Sequence, residues 1–157
     1  MRGMCFVGAV VLGLASSAQA HWQYTKWGMT PEEVVASSNG GAHLDPAAKP
    51  QDDGGINAVR GSYSAGGKTF DLSFMFRTGR LTGVTLWEKG NQSGCNDLKA
   101  TLVGTYGSST AEDATRTVRS FDWRDTAQQN YIRLVDTGLM ICAISYSELP
   151  NAAKSGL

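Results

Sequence analysis

His21 and His43 are the only histidines in this chain of 157 residues, which also holds three cysteines. If a leader were cleaved after Ala20, the α-amine and imidazole of His21 could chelate copper, with His43 as a third nitrogen ligand. No Met, Cys or Tyr cluster is tied to either histidine, and a residue exposed after a cleavage site needs no ligand role. Two histidines cannot build a multi-histidine cage, so no metal ligand set or other cofactor is assigned. A Ser-His-Asp arrangement is weaker still. Neither histidine lies in a patterned element, and no G-x-S-x-G elbow occurs. Glu32-Glu33 reads as negative charge at a helix N-terminus and Asp52-Asp53 as turn chemistry. The residues point away from an enzyme.

The aromatic residues are more informative. Trp22, Trp27, Trp87 and Trp123, with Tyr63 and Tyr131, exceed the obvious needs of one small core. Phe70, Leu72, Phe74 and Phe76 alternate with Asp71, Ser73, Met75 and Arg77. If the phenylalanine side faces inward, Met75 and Arg77 face outward, where Trp87, Tyr131 and Arg133 could join them. Aromatic residues with Arg and Met are the chemistry enriched at protein interfaces. These five residues form the candidate binding set. The competing reading makes Trp27 and Trp123 core residues and Trp87 the closure of a sheet edge.

Charge narrows the partner. With 14 Lys+Arg against 14 Asp+Glu, the chain lacks the basic excess that a nucleic-acid binder needs. Met1–Ala20 reads as a secretory signal peptide. Arg2 is the positive region, residues 6–15 are the apolar run, and Ala18-Gln19-Ala20 is the cleavage signal. The apolar run is about half the roughly 20 residues that span a bilayer. The expectation is a periplasmic or secreted protein with no integral membrane segment once the signal is removed. Residues 21–157 then form a single domain. Cys5 leaves with the signal, and an exported pair, Cys95 and Cys142, reads as a disulfide rather than a metal or redox site. It would close a loop of about 48 residues, for which the chain-entropy argument gives about 4 kcal/mol as an upper value.

The elements that must position these residues follow from periodicity. Thr30-Pro31-Glu32-Glu33 is a capping box opening a short helix with Val34 and Val35 inward, ending near Gly40-Gly41. Residues 41–57 read as loop with at most one helical turn. Val59–Ala65, Phe70–Arg77 and Leu81–Trp87 read as three strands, joined at Gly66-Gly67 and Thr78-Gly79. Asn96 or Asp97 opens a second helix carrying Leu98, Leu102 and Tyr106 on one side, with Cys95 extending the stripe and Gly107 ending it. Strand-like runs follow at Thr115–Trp123, Tyr131–Val135 and Leu139–Tyr146. The fold class is α+β: a tandem repeat of a helix plus a three-stranded antiparallel meander. Repeat one covers about 22–89 and repeat two about 90–148.

The opening Trp27-Gly28-Met29-Thr30-Pro31-Glu32-Glu33-Val34 and the Phe-rich hairpin after it resemble bacterial periplasmic proteins of the BamE/SmpA type and the β-lactamase-inhibitor-protein-like (BLIP-like) fold. The second half, opening with Cys95-Asn96-Asp97-Leu98 and ending in Ile141-Cys142-Ala143-Ile144, is similar to the two-repeat members. The resemblance implies helices packed on one face of an antiparallel sheet, with the other face free to meet partners. It implies envelope-assembly or enzyme-inhibitor roles, which are binding roles. The chain departs from the BamE lipoproteins by lacking a lipobox. That geometry gives the disulfide a reason, because Cys95 lies on the helix stripe and Cys142 alternates with Met140, Ile144 and Tyr146. Alternation alone leaves open a register in which Ile141 and Ala143 point inward.

The expected role is a non-enzymatic protein-binding module, inhibitor-like or envelope-assembly-like, whose partner is another envelope or secreted protein. A small copper-binding protein using His21 and a cell-wall glycan binder using exposed tryptophans are the alternatives.

Overall fold

Thr30 closes the capping box read from the sequence. The Glu33 backbone N–H donates to Thr30 Oγ1 at 3.3 Å, and the Thr30 N–H donates to Glu33 Oε2 at 2.8 Å. In this computed structural model, which describes residues 22–88, 95–138 and 141–150, the box starts helix α1, Pro31–Ser37. The signal segment 1–20 and His21 lie outside the described residues. Helix α1 is too short to stand alone, so its hold is tertiary: Val34 is wholly buried and Val35 packs beside it.

Strand β1, Ala42–Leu44, follows within the segment expected to be loop, and corrects that expectation. Its three residues carry no readable period, and it exists through pairing with Val59–Gly61 of the next strand. Strand β2, Ile56–Ala65, starts three residues earlier than its pattern suggested, because a register shift between Ile56 and Val59 interrupts the alternation. Gly66 and Gly67 both take positive φ, 58° and 75°, as the tight two-residue hairpin demands. Strands β3, Lys68–Arg77, and β4, Arg80–Glu88, complete the first set.

Helix α2 runs Asn96–Tyr106 and ends at Gly107. The run expected as one strand from Thr115 to Trp123 is instead a turn at 115–118 followed by a strand from Arg119, and a further strand precedes the turn. Strand β5 is Ala111–Ala114 and β6 is Arg119–Asp125. Thr115 makes the turn: its N–H donates to the Val118 carbonyl at 2.8 Å, and its Oγ1 accepts from the Val118 N–H at 3.1 Å. Strands β7, Asn130–Asp136, and β8, Cys142–Glu148, follow. Leu139 and Met140, expected to begin the last strand, lie outside the described residues.

All eight strands form one open antiparallel sheet in the order β1-β2-β3-β4-β8-β7-β6-β5. The expectation of three strands after each helix is therefore corrected to four. The fold class is α+β, with two helices and this sheet among the described residues. Phe70, Leu72, Phe74, Phe76, Val84, Ile132 and Leu134 line the inner face. Val34 of α1 and Leu98 and Leu102 of α2 join the same buried cluster. Trp22 is buried there too, edge-on to Tyr63 at 5.5 Å and to Phe74 at 6.1 Å between ring centroids.

Cys95 and Cys142 are joined in a disulfide with Cα atoms 5.5 Å apart, tying the start of α2 to the start of β8. Cys142 is buried and Ile141 is 48% exposed, so the register with Cys142 inward is the one adopted. No helix among the described residues is long and apolar enough to cross a membrane. A buried disulfide accords with an oxidising compartment.

Candidate sheet-face binding site

The outer sheet face takes the residues that alternate with the core. Its middle row runs Arg60–Ser73–Thr85–Ser145–Arg133–Asp122 across six strands. One row beyond lie Met75, Gly83, Ser147 and Tyr131. On the opposite side lie Asp71, Trp87, Ala143 and Val135. The register thus puts all five candidate residues, Met75, Arg77, Trp87, Tyr131 and Arg133, on this outer face. The centre between them is floored by small side chains, because β4 and β8 present Gly83, Thr85, Ala143, Ser145 and Ser147 there.

The five are not one cluster. Met75 and Arg77 are taken up by the turn before β2. Arg77 donates to the backbone carbonyl and the carboxylate of Asp53, whose pKa is lowered chiefly by the Gly55 N–H and then by Arg77. A Cβ on Gly55 would come within 2.5 Å of the Met75 sulfur, so the turn lies directly on the Met75 side chain, which a larger residue would have to displace. Across the sheet, Arg133 grips Asp122 with two bonds, Nε to Oδ1 at 2.7 Å and Nη2 to Oδ2 at 2.9 Å. Arg133 Nη2 also donates to the Tyr131 hydroxyl at 3.2 Å. These bonds hold the Asp122 carboxyl below the usual range against the opposing effect of burial, and they push the Arg133 pKa up. Burial, followed by the bond to Asp122, pushes the Tyr131 hydroxyl up. Arg133 is thereby fixed as a flat, oriented group beside an aromatic ring.

Trp87 is the exception among the tryptophans. It is 43% exposed on a central strand, whereas Trp123 is buried with its indole N–H donating to the Gly107 carbonyl at 2.9 Å. Trp27 is half-buried, and its N–H reaches Asn130 Oδ1 at 3.1 Å. Trp87 therefore does not close a sheet edge: β3 lies on one side and β8 on the other. Beside it, Ala143 and half-buried Val135 continue the row. Exposed Ile141 and Val118 stand one residue before β8 and β6, at that same end of the sheet.

Sequence reasoning missed Val118, Val135 and Ile141. Val135 was hidden as the end of a core strand, and Ile141 looked like a possible inward residue. Only the pairing of β7 with β8 and the turn at Thr115 bring them to Trp87's end. The face as built has Trp87, Val135, Ile141 and Val118 spread along one end with Asp71 beside Trp87, a polar small-residue centre, and an Arg133–Tyr131 flank. It offers contact area and fixed donors. His43, on β1, faces Arg60 across the ladder, while His21, on which the copper reading depends, lies outside the described residues.

No family model, no curated protein and no solved structure matches this chain.

Proposed function

We propose that the protein is a non-enzymatic periplasmic or secreted binding module that seats a partner protein on its outer sheet face, centred on Trp87. One observation carries this reading: a tryptophan 43% exposed on a central strand, with Asp71 on one side and buried Ala143 then half-buried Val135 on the other, on a face to which neither helix turns its buried side. Isolated exposed hydrophobic residues are ordinary, but an exposed tryptophan within a polar rim is the makeup of an interface centre. The fixed Arg133 and Tyr131 add the side chains that most often dominate such interfaces.

The inhibitor-like or envelope-assembly-like role drawn from the BamE-like and BLIP-like resemblance belongs to the same proposal, as does the internal duplication. Support for the duplication comes from the element order. One helix precedes four strands in each half, and the two last strands, β4 and β8, pair antiparallel at the middle of the sheet. Two copies of one unit related by a dyad through the Thr85–Ser145 pair would produce that order.

The test is capture of partners from a periplasmic extract by the disulfide-bonded protein, with cross-linking to map the contact. The proposal expects a saturable partner whose cross-links fall on the outer face and whose capture drops at least tenfold with Trp87→Ala, but not with Val103→Ala on exposed α2 surface. Undiminished capture by Trp87→Ala overturns it. Retention on peptidoglycan alone transfers the face to the glycan-binding reading.

A further inference from the structure

Between α2 and the inner sheet face lies a cavity of about 220 Å³, remote from the outer face and independent of its role. Leu98 and Leu102 of α2 face Phe70, Leu86 and Ile144 of the middle strands across it. The helix also presents Thr101 and Thr105 to this space, where larger apolar residues would have filled it. The walls are Trp22, Phe70, Leu98, Leu102 and Ile144. Exposed Gly66, Thr101 and Thr105 form its mouth. A closed apolar cavity of about 150 Å³ admits benzene, so this one has room for a fused pair of rings.

The polar atoms around it are unequal. Thr101 Oγ1 and Thr105 Oγ1 each donate at 2.9 Å to a carbonyl of α2, of Asp97 and Thr101 respectively, so their protons are already used. Tyr63 accepts from Gln23 Nε2 at 3.1 Å, which leaves its own O–H available to donate. Tyr106 and Tyr146 also line the cavity, and burial raises the pKa of both hydroxyls, so they stay protonated and able to donate. Among the described lining residues the one cation, Lys68, is held by Glu88 at 2.5 Å and faces Asp97 at 3.9 Å. The site thus combines aromatic and aliphatic walls, tyrosine donors and a cation that is already neutralised.

We propose that this cavity binds a small, uncharged, planar ring compound carrying a hydrogen-bond acceptor, which the tyrosine hydroxyls of residues 63 and 106 orient. An anion would have to displace Glu88 from Lys68. A ligand lacking an acceptor would leave the tyrosine protons without a partner.

Titration of the disulfide-bonded protein with three probes, followed by nuclear magnetic resonance, tests this. Quinoline is neutral with one ring acceptor, naphthalene has the same shape without one, and 1-naphthoate is an anion. Quinoline is expected to shift the methyl signals of Leu98, Leu102 and Ile144 saturably, and to bind about 2- to 10-fold more tightly than naphthalene, the worth of one hydrogen bond. The double variant Tyr63→Phe/Tyr106→Phe should bring quinoline down to the naphthalene level. Thr105→Trp, at an exposed helix position, should plug the mouth and lower quinoline affinity more than tenfold while the spectrum stays dispersed. No saturable shift at the lining residues, equal binding of quinoline and naphthalene to the wild type, or tighter binding of 1-naphthoate overturns the proposal.

Discussion

Thr85 and Ser145 sit directly opposite one another on the paired central strands β4 and β8, with their hydroxyl oxygens 3.1 Å apart on the outer face. The two halves of the sheet meet at this pair, and its small side chains keep the centre of the proposed binding face flat. Substituting Thr85→Arg puts a long charged side chain on that floor while leaving the inner face untouched. The expected outcome is a stability change within about 1 kcal/mol by urea denaturation, with partner capture reduced at least tenfold. Unchanged capture would place the contact away from the sheet centre.

The Cys95–Cys142 bond spans 47 residues and ties α2 to β8. Constraining a loop of that size in the unfolded chain stabilises by about 4 kcal/mol at most. Reduction, or the pair Cys95→Ala/Cys142→Ala, should lower the urea midpoint by an amount equivalent to about 2–4 kcal/mol. Hydrogen exchange should show α2 amides losing protection before those of β3. A loss well below that range would mean the unfolded chain is already restricted around this loop.

Residues with strong local codes were readable from the sequence. Thr30 and Glu33 announce α1, Gly66-Gly67 announces the first hairpin, and the alternation from Phe70 to Phe76 identifies the face toward the core. Strands β1 and β5 were not legible, because each is short and exists through the neighbour it pairs with. Ala111–Ala114 is exposed at every position, so no period marks it. At the site, alternation was enough to put Met75, Arg77, Trp87, Tyr131 and Arg133 on one face. It could not show that the Asp53–Gly55 turn occupies Met75 and Arg77, since that contact joins segments about twenty residues apart. That Ile141 and Val118 lie at the same end of the sheet as Trp87 was likewise invisible until the strand order was known.

Trp123 is the largest of the fully buried side chains, and its indole N–H meets the carbonyl of Gly107, the residue that ends α2. The ring fills the core under β6 while the hydrogen bond fixes the helix exit. Trp123→Phe keeps most of the volume but leaves that carbonyl unpaired and a small void behind. A loss of about 1–3 kcal/mol is expected, against about 3–5 kcal/mol for Trp123→Ala. Chemical denaturation followed by circular dichroism would measure both, and equal losses would show that packing at this position depends on the full indole.

Asp122 and Arg133 provide the pH dependence. Asp122 is 9% exposed and its carboxyl is held below the usual range by the paired bonds from Arg133, so the folded state favours the charged form more than the unfolded chain does. A carboxylate with a lowered folded pKa contributes stability that is fully present above its unfolded value, about 3.9. That contribution is lost as pH falls through the lower folded value. Arg133 is nearly half exposed, with side-chain exposure of 47%, so solvent weakens the pair and about 1 kcal/mol is expected. Arg133→Gln should therefore be less stable than wild type by about that amount at pH 7, with the gap constant down to about pH 4 and closing below it. Urea midpoints of both proteins between pH 2 and pH 7 would trace the gap. A difference that persists unchanged at the acid end would assign the effect of Arg133 to its packing on Tyr131 instead of its charge.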